Sequence, residues 1–153
     1  MISLDQQYRT QTEISKLCVS SGNNNRAFEL RGLIKSDYAR VQCDLELVDA
    51  FIASEQMELA DHTLSQALTD ASAIEPAYLK ALALMQIAPR MARREQNSKA
   101  SEILFDALTT LALIQDSHQQ SLALIHLADE YRKLNLEAGE RERAILEAML
   151  VKL

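Results

Sequence analysis

Residues 74–88 read IEPAYLKALALMQIA, and forty positions on residues 114–128 read IQDSHQQSLALIHLA. Leu82, Ala83, Leu84 and Ala88 recur as Leu122, Ala123, Leu124 and Ala128. The same shift carries Ala60, Leu64, Ala67, Leu68, Thr69 and Ile74 onto Ala100, Leu104, Ala107, Leu108, Thr109 and Ile114. Self-similarity at a fixed step of this size marks a structural unit repeated along the chain. Apolar residues in the unit fall three and four apart: Leu84, Ile87, Ala88 and Met91, then Ala100, Ile103, Leu104, Ala107, Leu108 and Leu111. That is the period of a helix, not of a strand.

Composition agrees. Leucine and alanine make up 45 of 153 residues, whereas glycine and proline together supply five. Such a chain favours helices and lacks the turn residues of a sandwich or barrel. Polar clusters at Gly22–Asn25, Ser36-Asp37, Ser54–Gln56, Glu75-Pro76, Glu95–Ser98, Gln115–Ser117 and Asn135–Gly139 divide it. Eight helices are therefore predicted near 4–20, 26–35, 38–53, 57–73, 77–94, 98–114, 117–134 and 139–152. Asp116 with Gln119 has the spacing of an N-terminal capping box, and Pro76 stands where a first turn tolerates proline. Pro89 falls inside a predicted helix and implies either an early helix end or a kink.

The pattern resembles the tetratricopeptide (TPR) repeat. That family sets large and small packing residues on a first helix and small, bulky, small on a second. Leu84, Ile87-Ala88, Met91, Ala100, Leu104 and Ala107 fit in order and spacing, and Leu124, Leu127-Ala128 and Tyr131 fit the first half again. Leu47-Val48, Phe51, Ala60, Leu64 and Ala67 fit with Asp44 at a normally large position and Val48 at a small one. Ile14-Ser15, Cys18 and Ala27 give a fainter copy, with Arg31 where a bulky apolar residue is expected. In the last unit Glu140 stands in place of an alanine, so its second helix should be shifted by about a turn, with Ala144 taking that place. The resemblance implies a right-handed α-solenoid of about four helix-turn-helix units, 1–36, 37–75, 76–115 and 116–153, in one domain. The step of 40 exceeds the usual 34, and the extra residues follow Ala67 and Ala107, so second helices should run nearly two turns long.

Charge and motifs exclude several function classes. Sixteen basic and 22 acidic residues give a net charge of −6, unsuited to binding nucleic acid through bulk charge. The cluster Arg90, Arg93, Arg94 and Lys99 is too short to reverse this. Asp5, Arg9, Glu13 and Lys16 interrupt any leader-like apolar run, and no stretch reaches the ~20 apolar residues of a membrane helix. Cys18 and Cys43 read as reduced, buried thiols of a cytoplasmic protein. His126 aligns with polar Gln86 and Glu46 and is expected to face solvent, as are His62 and His118. No CxxC or HExxH occurs, and three scattered glycines cannot cradle a phosphate. Glu55, Glu58, Asp61, Glu140, Glu142 and Glu147 read as solvated helix faces. The expectation is a protein with no cofactor, no metal and no catalytic activity.

In the resembling family the first helices line a concave surface that binds a partner peptide or helix. That implies an inner apolar stripe of Leu45, Ile52, Leu82, Met85, Leu122 and Ile125, with Arg93, Arg132 and Lys133 steering an acidic flank. Arg9, Thr12, Lys16 and Gln42 extend the same surface. Such a stripe should be covered by an apolar partner segment, by the chain's own terminal helix or by a second copy. The apolar run from Ala144 to Leu153 suggests a homodimer through the C-terminal helix. The function expected is an adaptor or chaperone-like protein–protein interaction module, with a self-associating structural protein and a small-ligand sensor or enzyme as alternatives.

Overall fold

The structure is a computed structural model, and residues 1–152 are described. It is all-helical: α1 (Leu4–Ser20), α2 (Asn24–Gly32), α3 (Asp37–Ala53), α4 (Met57–Ser72), α5 (Ala77–Arg93), α6 (Asn97–Leu111), α7 (Ser117–Lys133) and α8 (Glu140–Val151), with no strand among the described residues. All sixteen helix ends lie within three residues of those expected from the sequence. None of the helices is long and apolar enough to cross a membrane. Leu153, which closes the last expected unit, lies outside the described residues.

Local chemistry starts the helices. Ser3 caps α1 in a full capping box with Gln6, and Asn23, Ser36 and Asp116 cap α2, α3 and α7 through their side chains. Asp116 accepts the Gln119 amide at 2.8 Å, as its spacing predicts. Each bond satisfies an amide that the first turn would leave unpaired, an effect of about 1 kcal/mol.

One turn recurs. After α1, α3, α5 and α7 a residue takes positive φ: Gly22 at 80°, Glu55 at 59°, Glu95 at 60° and Asn135 at 53°. The next amide reaches back five residues: Asn23 to the Cys18 carbonyl, Gln56 to Phe51, Gln96 to Met91 and Leu136 to Tyr131, at 2.8–3.0 Å. This is the Schellman closure. The accepting residues are the same four that the sequence pattern aligns at the end of each first helix. Second helices differ in length: α2 has 9 residues, α4 has 16 and α6 has 15. The excess of six or seven residues is the two turns that the longer step implies.

The chain divides into two compact units, Met1–Ala73 and Ile74–Leu153. In the first, α1 packs on α2 and α3, and α3 on α4. Val41, Leu47, Val48, Phe51, Ala60, Leu64 and Ala67 are fully buried, and the Phe28 ring stacks on Phe51 at 5.7 Å. An ion network joins this core. Arg31 on α2 binds Asp44 on α3 through two bonds of 2.8 Å and also Asp70 on α4. Arg40 approaches Asp70 at 3.5 Å, pairs with Asp37 and donates to the Ile34 and Lys35 carbonyls. Asp44 has no solvent exposure. Burial pushes its carboxyl up against the pull of Arg31, while Asp44 holds the guanidinium more firmly charged. Thus two of the departures from the repeat pattern, Arg31 and Asp44, are two halves of one contact.

In the second unit α5 packs on α6 and α7, and α6 on α7 and α8. Ile87, Ala88, Ala100, Leu104, Ala107, Leu108 and Leu111 form its core. Full burial of a leucine or isoleucine side chain contributes about 1.5–3 kcal/mol. α5 runs unbroken through Pro89, which settles the choice against an early helix end. The ring removes the amide that the Met85 carbonyl would accept from. In the same turn Arg90 Nη1 donates to the Gln86 carbonyl at 3.0 Å.

Candidate functional site

Successive first helices lie side by side within each unit and leave a groove between them. The α1–α3 groove is about 540 Å³ and is lined by Asp5, Tyr8, Arg9, Thr12, Glu13, Tyr38, Gln42 and Glu46. Its wall is polar, and Lys16 bridges the helices to Glu46 at 2.8 Å and to Glu13 at 3.3 Å. The α5–α7 groove is smaller, about 240 Å³, and holds Leu82, Met85, Gln86, Pro89, Arg90, His126 and Glu130. His126 is exposed, as expected, and so are His62 and His118.

A second apolar space opens on the other side of α7. The turn after α7 repeats the earlier ones, but Glu137, Ala138 and Gly139 intervene before α8 begins. Gly139 precedes α8 in an extended conformation. α8 then rests on α6: Arg141 binds Glu102 at 3.0 and 3.2 Å, and its guanidinium sits 4.0 Å over the Phe105 ring. Two cavities of about 310 and 270 Å³ lie between α7 and α8 and share Leu124 and Leu146. Leu127, Ala128, Tyr131, Leu136 and Ala138 line the first, and Gln120, Met149 and Leu150 the second. The hairpin α5–α6 buries Leu84, Ile87, Ala88 and Met91. Of their counterparts on α7 only Leu127 is buried; Leu124 and Tyr131 are half-buried and Ala128 is exposed.

Tyr131, Arg132 and Glu142 are the polar residues that edge the first cavity. The Tyr131 hydroxyl is buried without a protein partner. Burial, then the Glu142 charge, pushes this phenol up to about 12. Glu142 is 5% exposed and takes Arg141 Nε at 3.1 Å. It does not lie on a solvated face, because the delayed start of α8 turns it inward. Ala144, expected to pack in place of Glu140, is instead exposed.

The expected docking stripe is only partly open. Leu122 and Ile125 are 40% and 67% exposed. Leu82 and Ile52 are half-buried. Met85 and Leu45 are 4% and 3% exposed and belong to the core, so both are corrected as docking residues. Met85 is covered because α7 packs directly along α5; Leu45, forty residues earlier, is withdrawn from water to the same degree. Arg93, Arg132 and Lys133 are exposed. Arg132 and Lys133 engage Asp129 at 2.7 Å on their own helix, and Lys133 also meets Glu130 at 3.1 Å. Lys133 first, then Arg132, holds the Asp129 carboxyl at about 2. Their charge is therefore largely balanced locally.

At 100° per residue, the exposed sector of α7 carries Ala128, Ile125 and Leu122 in sequence around the helix. It lies between the α7–α8 cavities on one side and the α5–α7 groove on the other. The α7–α8 space was not visible in the spacing of apolar residues; its only sequence signal is Glu140 standing where a small residue is expected.

Among the described residues no group of three His, Cys, Asp or Glu side chains is placed to hold a metal ion. Cys43 is buried and its thiol is pushed up to about 11 by that burial, which keeps it protonated and unreactive near neutral pH. No protein-family model, curated protein or solved structure matches the chain.

Proposed function

We propose that the chain is a non-catalytic protein-interaction module that takes an amphipathic or apolar segment of a partner protein along α7. The supporting observation is the outward pair Leu122 and Ile125, flanked by the apolar α7–α8 cavities on one side and the mixed α5–α7 groove on the other. A partner helix laid on this ridge buries both side chains and sends one apolar residue into the α7–α8 cavity, a helix-in-groove mode of recognition. Leu82 edges the site from α5, and Arg132 bounds the α7–α8 cavity. The role is that of a cytoplasmic adaptor or chaperone-like binder.

The same reading takes the chain as a TPR-like protein of four helix-turn-helix units in a right-handed α-solenoid. The forty-residue identities and the recurring Schellman turn support it. A photo-crosslinking residue placed at Ile125 tests the site. Cross-links should concentrate on one apolar or amphipathic segment of a partner and fall when Leu82 becomes glutamate. Equal cross-linking from the exposed Ser65 on α4 would contradict it.

A further inference from the structure

The outward face of α8 carries a different signal from the α7 ridge. Glu142 points inward, and the opposite side of the helix presents Arg143, Ala144, Glu147 and Val151, all exposed. Val151 is 86% exposed. Arg141 is engaged by Glu102 and Glu142, but among the described residues neither Arg143 nor Glu147 forms an ion pair. The face thus combines exposed apolar surface with charges unpaired among the described residues, those of Glu140, Arg143 and Glu147, the last two a turn apart.

We propose that this face binds a second copy of the chain, α8 against α8 in antiparallel orientation about a two-fold axis. Charge decides both occupant and direction. A parallel pair would set Arg143 against Arg143 and Glu147 against Glu147. The antiparallel pair brings Arg143 of each chain within a turn of the second copy's Glu147, twice by symmetry, with Ala144 beside the axis and Val151 at the two ends of the contact. Such an isologous interface is self-complementary. It leaves the α7 ridge free, so this inference stands or falls independently of the partner site.

Sedimentation equilibrium of the full chain over a concentration series tests it. The wild type should associate reversibly from the 17.2 kDa monomer to twice that mass, with weaker association in high salt. Glu147→Arg should raise the dimer dissociation constant by about tenfold or more, because it converts two attractions into two repulsions. Arg143→Glu/Glu147→Arg should restore it to within about threefold of wild type, since the swap recreates the pairing. Both positions are exposed, and unchanged helicity by circular dichroism checks that the variants fold. A wild type that stays monomeric throughout, or a double variant that fails to recover, overturns the proposal.

Discussion

Asp44 on α3 and Leu124 on α7 hold the same place in their units, as do Arg31 on α2 and Leu104 on α6. The second unit fills those places with leucine, Leu104 fully buried and Leu124 half-buried. The first fills them with a buried guanidinium–carboxylate pair extended to Asp70. One backbone accepts both solutions because the pair, like the leucines, leaves nothing unsatisfied. They differ in what a single change does. Loss of one leucine removes contact area, whereas loss of one ion strands its partner in the core.

Arg31→Met should therefore be the most damaging change. It leaves Asp44 buried and uncompensated, and chemical denaturation should show a loss of about 3–5 kcal/mol. Adding Asp44→Leu, which makes the first unit like the second, should return stability to within about 1 kcal/mol of wild type. A double variant no better than the single would break the equivalence of the two positions. Leu104→Ala in the second unit should cost about 2–4 kcal/mol in the same assay, with no rescuing substitution at Leu124.

Pro89 sharpens the comparison, since α3 carries Asp49 at the matching position. Pro89→Ala restores a helix amide and should raise stability by about 1–2 kcal/mol, the gain being reduced by the freer unfolded chain. The smallest effect concerns Tyr131, which replaces the well-buried Met91 of the preceding hairpin. Its phenol titrates near 12 in the folded state, above the ~10 of an unfolded chain. The unfolded state loses that proton first, so its contribution is whole below pH ~10 and fades as pH rises toward 12. Tyr131→Phe should flatten that slope in a thermal melt series and delete one tyrosinate step, the one near 12, at 295 nm.

Helix number and limits were legible because the apolar period, the polar breaks and the caps are local properties. The ion network was legible only as two separate faults. Arg31 and Asp44 lie 13 residues apart on different helices, and only the convergence of α2, α3 and α4 joins them. The expected docking stripe divided in the same way. Leu122 and Ile125 are exposed, but Leu45 and Met85 are buried, because coverage by a neighbouring helix is a tertiary fact that spacing along one helix does not encode. The α7–α8 cavities depend on three inserted residues whose effect on the direction of α8 has no periodic signature.

The most direct test of the partner site uses the chain carrying Leu122→Glu and Ile125→Glu together. Both side chains already face solvent, so helicity and melting temperature should stay close to wild type. Quantitative capture of the partner segment identified by cross-linking should fall by about a hundredfold, the effect of placing two charges on an apolar contact. Undiminished capture by this folded variant would contradict the account.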